Sequence, residues 1–269
     1  MELLPISTPH CRVERDGHVL TVTMNRPEAR NALSSDMLVG LASAWAYASA
    51  EPEIRVAILT GAEGTFCSGA DLKAMGQPST DPEVQARAAQ IPNYHWKGLL
   101  REELPATPVI SAVEGYAVAG GTELLVGTDL RVVAESATLG LFEARRALFP
   151  MGGSAVRLPR QIPYCHAMDL LLTGRPITAA EALSMGLVNR VVPDGQALAA
   201  ARELAEDVAA SGPLAVRAIL RTYRDTLGLA EPEALKVSDE LGWPVIGSED
   251  AKEGTRAFRE KRPPVYRAL

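Results

Sequence analysis

The sequence contains few cysteines, and they are scattered. Its 269 residues include three, Cys11, Cys67 and Cys165, with no CxxC pair and no spacing typical of metal ligands. This excludes a disulfide-rich secreted domain and indicates a reducing compartment. The four histidines, at positions 10, 18, 95 and 166, show no ligand spacing either, so we expect no metal ion.

Long apolar runs and an excess of positive charge are also lacking. No apolar stretch reaches the roughly 18 residues that suggest a membrane-spanning helix. The N-terminal segment MELLPISTPHCRVERDG has no basic start followed by a long apolar run, so we expect no signal peptide. The formal net charge of −6 argues against nucleic acid and anionic membranes as partners. We therefore predict a cytoplasmic protein that binds neither.

Strands alternate with helices in the first two-thirds of the chain, which has the length for one large core. The predicted elements are strands at 18–24, 54–60, 108–116 and 129–136, and helices at 37–50 and 94–104. From residue 178 onward the pattern is mainly helical. We predict an α/β core with buried sheets at 1–193 and a helical C-terminal region at 194–269.

A glycine-rich stretch, GYAVAGGTELL, follows the predicted strand at 108–116. It approaches the phosphate-binding pattern G-x-x-x-x-G-K-[ST], but Gly121 stands where the lysine should be. The N–H of Gly120 would lie at a helix N-terminus, where it can bind or stabilise negative charge. Glu123 follows within the first turn. On this stretch alone, packing glycines with Glu123 as a capping residue are equally well supported.

Two further stretches contribute candidate groups. In GTFCSGADLK, residues 64–73, the N–H of Ala70 is a second candidate donor, although a purely structural turn is favoured there. In the segment after 137, Glu143 stands among apolar residues, where a carboxyl has a raised pKa and can act as a general acid. The alternative is an ion pair with Arg145 or Arg146. Together, two donors suit a carbonyl that becomes an enolate, and two carboxylates suit the splitting of a water.

At these residues the sequence resembles the crotonase (enoyl-CoA hydratase/isomerase) superfamily. The resemblance covers almost the whole chain and rests on several motifs in order, including NRPEARNAL, FCSGADLK, PVISAVEGYAVAGGTELL, DLRVVAESATLG and the GGS…RLPR run. It implies an α/β, crotonase-like spiral of ββα turns, followed by a helical region that builds homotrimers, often paired as hexamers. The apolar faces predicted for helices 196–210 and 213–227 agree with such an assembly.

The resemblance also implies the site. The oxyanion hole falls on the backbone N–H groups of Ala70 and Gly120, and the two hydratase glutamates fall on Glu123 and Glu143. The coenzyme A contacts fall on the basic residues Arg30, Lys73 and Lys261, the last often reaching the ligand of a neighbouring subunit. No separate cofactor is implied, because coenzyme A is part of the thioester substrate.

The resulting hypothesis is a 2-enoyl-CoA hydratase, a hydro-lyase of fatty-acid or sterol side-chain β-oxidation. Glu123 would deprotonate water for attack at C3, and Glu143 would protonate C2. The alternatives are a double-bond isomerase that relies mainly on Glu143, and a non-catalytic acyl-CoA-binding homologue. Familiar hydratases often have proline before the second glutamate, where this chain has Phe142. The segment 141–164 is closer to actinobacterial crotonases of sterol breakdown, which predicts a bulky acyl group.

Overall fold

The computed structural model describes residues 2–4, 6–73 and 77–268 of the chain. The strands are β1 (Glu2–Leu3), β2 (Cys11–Asp16), β3 (Val19–Met24), β4 (Val56–Gly61), β5 (Val109–Val113), β6 (Tyr116–Val118), β7 (Leu130–Ala134), β8 (Thr138–Gly140), β9 (Ile177–Thr178) and β10 (Arg190–Val192). The helices are α1 (Ser35–Ala50), α2 (Pro82–Gln90), α3 (Tyr94–Gly98), α4 (Gly120–Gly127), α5 (Ser154–Gln161), α6 (Tyr164–Thr173), α7 (Ala179–Ser184), α8 (Ala197–Ala209), α9 (Pro213–Asp225), α10 (Glu231–Ile246) and α11 (Glu249–Glu260). Within these ranges no helix is long and apolar enough to cross a bilayer.

Two sheets organise the chain. The larger has the strand order β1-β2-β3-β4-β5-β7-β10, with parallel pairing from β3 to β10 and an antiparallel β1–β2–β3 edge. Its central strands, such as the VAILTG run of β4, are apolar on both faces because helices cover both. The smaller sheet has the order β6-β8-β9, in which β6 and β8 are parallel.

The predicted strand at 108–116 is wrong in one respect, because the structure divides this stretch between the two sheets. β5 ends at Val113, and β6 begins at Tyr116. Between them Gly115 has a positive φ of 59°, and a Cβ built on it would lie 2.4 Å from the carbonyl oxygen of Gly64. The chain therefore turns at Gly115 and enters the second sheet, which carries the following glycine-rich turn away from β5.

The predicted helix at 94–104 is shorter than expected. α3 ends at Gly98, whose carbonyl oxygen accepts a hydrogen bond from Trp45 Nε1 at 3.1 Å. Leu100 is fully buried with a φ of 55°, a left-handed conformation that ends the helical path. The segment after α3 is thus shaped by its packing rather than by its helical propensity.

The division of the chain at residue 193 stays a prediction. α8, which follows that position, packs its buried Ala197, Ala201 and Ala205 against the same sheet as the elements before it. Its apolar face is therefore covered within the chain. Most of the large exposed apolar side chains of the helical region belong to α9, α10 and α11, and they include Ile219, Leu235, Trp243, Ile246 and Phe258.

We predict that Gly121→Ala destabilises the protein, because a Cβ at this position would lie 2.3 Å from the carbonyl oxygen of Cys67. Overpacking of this kind costs about 1–3 kcal/mol of unfolding free energy. Gly242→Ala in α10 is the matched control, since a Cβ there meets no atom within 4 Å. It should leave stability unchanged or raise it by up to about 1 kcal/mol. Denaturant unfolding of both variants at equal protein concentration makes the comparison, and equal stabilities would contradict it.

Candidate active site

Two turns approach each other closely at the edge of the smaller sheet. Cys67 N donates to Tyr116 O at 2.8 Å, and Val118 N donates to Cys67 O at 3.0 Å, so the chain after β4 runs beside β6 like an extra strand. Gly121 allows this approach, because a side chain on it would collide with the Cys67 carbonyl. The turn that contains Ala70 therefore lies against the start of α4.

The N–H groups of Ala70 and Gly120 are neighbours in this arrangement. A Cβ built on Gly120 would lie 3.5 Å from Ala70 N, and one built on Gly69 would lie 3.2 Å from Gly120 N. The Gly120 N–H belongs to the first turn of α4, which has no intrahelical acceptors. The Ala70 N–H also has no acceptor among the residues that the structure describes. Two backbone donors without an acceptor among the described residues thus lie close together.

The residue before Gly120 is held in an unusual conformation. Ala119 has φ 51° and ψ −121°, which is rare for a residue with a side chain. Its N–H donates to Gly140 O at 2.7 Å, and the hydroxyl of Thr122 bonds the same carbonyl at 3.0 Å. These bonds to β8 hold the turn in place, so the direction of the Gly120 N–H is fixed by the sheet.

Glu123 lies in the first turn of α4 and is only 5% exposed. Its Oε2 accepts from Gly152 N at 2.9 Å, and its Oε1 accepts from Ser154 N at 3.3 Å and from Ser154 Oγ at 2.9 Å. A capping glutamate would instead accept from the N-cap residue of its own helix, which is Ala119. The capping alternative is thus wrong, because Glu123 is held by a different segment.

Glu143 follows β8 and has a very different environment. Its Oε2 is buried and has no hydrogen-bond partner in the described part of the chain. Burial raises the pKa of this carboxyl, and the charge of Glu123 adds to the rise, while its own backbone N–H and Arg146 oppose it. Arg145 donates to Thr173 O at 2.7 Å, and Arg146 lies 5.8 Å from the Phe142 ring. The alternative of an ion pair with either arginine is therefore not what the structure has.

The pairing of β6 with β8 explains how two glutamates twenty positions apart come close enough for the charge of Glu123 to act on Glu143. The two strands are parallel, with Val118 opposite Gly140. Glu123 and Glu143 each follow one of these strands, at the same carboxyl edge of the sheet. Glu123 accepts hydrogen bonds from three donors, whereas Oε2 of Glu143 has none among the described residues. Two carboxyl groups in such different environments suit a base and an acid that act on one molecule.

The three predicted coenzyme A contacts are exposed and occupy different places. Arg30 has a left-handed backbone, its carbonyl accepts from Ser68 N at 3.1 Å, and its guanidinium carbon lies 5.9 Å from the Tyr116 ring. Lys73 lies three residues after Ala70. Lys261 ends α11 and makes no hydrogen bond or ion pair through its side chain with the described residues. The first two lie beside the site, and the third belongs to the C-terminal region.

Sequence reasoning assigned no role to the residues that hold Glu123. Gly152 and Ser154 stand in the GGS run that opens α5, and this run was recognised only as a motif. The structure gives a reason for the glycine, since a side chain on Gly152 would lie 2.7 Å from Glu123 Oε2. Only the folded chain shows that this run meets α4.

Comparison with known proteins identifies relatives over nearly the full length. Residues 14–268 match the family described as enoyl-CoA hydratase/isomerase. The chain is 55% identical over 260 residues to enoyl-CoA hydratase EchA19 of Mycobacterium tuberculosis, covering 97% of each. It is 38% identical to (E)-benzylidenesuccinyl-CoA hydratase of Thauera aromatica, covering 95% of this chain and 98% of that one.

Solved structures agree with these matches. A crystal structure of enoyl-CoA hydratase from Mycobacterium tuberculosis H37Rv superposes with a TM-score of 0.89 at 39% identity, covering 97% of this chain and 100% of that one. One titled as a putative enoyl-CoA hydratase/isomerase from Mycobacterium abscessus gives a TM-score of 0.86 at 45% identity, with the same coverage. The expected crotonase-like fold is confirmed, and the chain belongs to the enoyl-CoA hydratase/isomerase, or crotonase, family.

Proposed function

We propose that this protein is an enoyl-CoA hydratase, which adds water across the 2,3 double bond of a 2-enoyl-CoA to give a 3-hydroxyacyl-CoA. The observation that carries the proposal is that two neighbouring backbone N–H groups, without acceptors among the described residues, lie at or beside the start of the helix that carries Glu123, whose charge acts on Glu143. The hydratase names of the relatives support it. We propose no separate cofactor, because the coenzyme A is part of the substrate.

The thioester carbonyl oxygen is placed between the N–H groups of Ala70 and Gly120. Attack at C3 moves electron density onto this oxygen, and two fixed donors stabilise the resulting enolate-like charge. Neither donor has to give up a bond to a described residue to do so. The barrier to addition is lowered by the backbone itself.

Glu123 orients a water and takes one of its protons as the oxygen bonds to C3. Glu143 gives its proton to C2, which completes the addition of the elements of one water. The pair is reset when the proton on Glu123 passes back to Glu143 through the next water. The unlike environments support these roles, because three donors hold the Glu123 carboxyl group in place, whereas burial raises the pKa of Glu143.

The acyl group is proposed to be large and apolar, as in fatty-acid or sterol side-chain β-oxidation. The segment after Glu143 supports this, since Leu148, Phe149 and Met151 are 50%, 66% and 51% exposed just before Gly152, whose N–H contacts Glu123. Arg30 and Lys73 are proposed to bind the coenzyme A moiety of the same subunit, and Lys261 that of a neighbour.

We predict that Glu123→Gln and Glu143→Gln each lower the hydration rate by roughly 10²- to 10⁴-fold, the usual effect of a positioned acid or base. The double variant should be little slower than the poorer single one, because the residues act on one water. Hydration is followed by the loss of enoyl absorbance. An isomerase would behave differently, since its Glu123→Gln variant would keep substantial turnover of a 3-enoyl-CoA. Near wild-type hydration by Glu123→Gln would refute the assigned base.

The protonation state of Glu143 gives a second prediction, which concerns the pH dependence of the hydration rate. A raised pKa keeps this carboxyl protonated to higher pH, so the rate should fall on the alkaline side as the proton is lost. Arg146 lowers this pKa, so Arg146→Gln should move the alkaline limb to still higher pH. Arg145→Gln is the matched control, with the same charge change on a side chain bonded to Thr173 O. Profiles at low salt test this, and a shift to lower pH, or equal shifts in both variants, would contradict it.

We further propose a homotrimer or a dimer of trimers in the cytoplasm. Support comes from α10, in which no residue is buried in the single chain, and from the exposed Trp243 and Ile246 on it. Light scattering at micromolar concentration should give three or six times the chain mass of 28.7 kDa. Trp243→Lys should weaken the assembly, whereas Lys236→Gln, on the same helix, should not. A stable wild-type monomer would end this proposal.

A further inference from the structure

The segment between β3 and α1, residues 26–33, crosses the turn that carries Ala70. Arg30 O accepts from Ser68 N at 3.1 Å, Leu33 N donates to Gly69 O at 2.8 Å, and Asp71 N donates to Leu33 O at 3.1 Å. The last two bonds flank Ala70 on either side, in an isolated parallel bridge between Leu33 and Ala70. The direction of the Ala70 N–H therefore depends on where this segment lies.

One end of the segment is anchored by a buried amide. Asn31 is fully buried with a φ of 55°, and its Nδ2 donates to Ala62 O at 3.0 Å and to Thr65 O at 2.6 Å. Its Oδ1 accepts from Arg26 N at 2.8 Å. The amide thus joins the segment to the end of β4 and fixes the backbone of Arg26.

A salt bridge then joins the segment directly to the residue after Ala70. Arg26 Nη1 pairs with Asp71 Oδ2, and the two side chains are only 21% and 11% exposed. Asp71 Oδ1 also accepts from Lys73 N at 2.9 Å. The same arginine approaches Glu28 at 3.6 Å, but Glu28 is 71% exposed. Solvent screens the second pair much more than the first.

We propose that Arg26 and Asp71 are positioning residues of the oxyanion hole, whose ion pair holds the Ala70 N–H beside the Gly120 N–H. This inference rests on the proposed hydratase function. Neither side chain is assigned a contact with the reacting atoms. Their effect is geometric, because an oxyanion donor must lie about 2.7–3.1 Å from the charged oxygen. A displacement of about 1 Å at such a site can cost roughly 100-fold in rate.

The experiment compares Asp71→Asn and Arg26→Gln with Glu28→Gln. The Asp71→Asn variant keeps a side-chain oxygen that can accept from Lys73 N, so it removes the ion pair and spares that bond. We expect both pair variants to lower kcat by about 10- to 100-fold with KM for the acyl-CoA changed little. The double variant should be no slower than the slower single one. Arg26→Lys, which keeps the charge, should recover part of the rate, and Glu28→Gln should behave as wild type.

The deciding readout does not depend on turnover. The absorption of 4-dimethylaminocinnamoyl-CoA moves to longer wavelength when its thioester carbonyl is polarised by hydrogen bonds. Wild type and Glu28→Gln should show a red shift on binding. Arg26→Gln and Asp71→Asn should bind this thioester with similar affinity and show a smaller shift. If Arg26→Gln does not fold, Asp71→Asn and Arg26→Lys supply the comparison.

The outcomes separate this inference from the function on which it rests. A full red shift in both pair variants, with a loss of thermal stability alone, would show that the ion pair is structural and would overturn the inference. A wild type with neither red shift nor hydration would overturn the proposed function and the inference together. A red shift that is reduced equally in Glu28→Gln would also overturn the inference, because it would show that the effect does not require loss of the Arg26–Asp71 ion pair.

Discussion

The site depends on the contact between Gly121 and the carbonyl group of Cys67. No side chain fits there, since a Cβ on Gly121 would lie 2.3 Å from that oxygen. This contact lets the turn after β4 pack against the start of α4, although that helix follows β6, much later in the chain. The N–H groups of Ala70 and Gly120 become neighbours as a result. In the proposed function, these two backbone donors, which have no acceptor in the described chain, serve as an oxyanion hole that needs no charged side chain.

The second feature of the site is that its two carboxyl groups, Glu123 and Glu143, lie in different hydrogen-bonding environments. Two carboxylates close together cannot both be ionised at low cost, so their surroundings decide where a proton resides. The GGS run and the Ser154 hydroxyl give Glu123 three donors, whereas Glu143 keeps a buried oxygen atom without one in the described residues. The proposed division into base and acid therefore rests on which segments the fold places beside each carboxyl.

Much of the fold and of the candidate site could be predicted from the sequence. Apolar periodicity indicated β3, β4, β7, α1 and a helical C-terminal region, the glycine-rich turns marked Ala70, Gly120 and Glu123, and the apolar neighbours of Glu143 marked that carboxyl. The split of 108–116 between two sheets could not be predicted, because it depends on a long-range contact of Gly115 with Gly64. The early end of α3 and the partners of Glu123 also depend on distant segments. Local sequence patterns indicate secondary structure and the residues able to act chemically, but contacts between turns distant in sequence appear only in the folded chain.

The central claim is that one thioester oxygen accepts hydrogen bonds from the N–H groups of both Ala70 and Gly120. At the same time, one water lies between the carboxyl groups of Glu123 and Glu143. A crystal structure with acetoacetyl-CoA, a thioester with no 2,3 double bond to hydrate, tests it most directly. We expect the thioester oxygen to lie about 2.7–3.1 Å from the nitrogen atoms of both Ala70 and Gly120, with C2 and C3 facing Glu143 and Glu123. A thioester oxygen that contacts neither nitrogen, or a β-carbon directed away from both glutamates, would contradict the account.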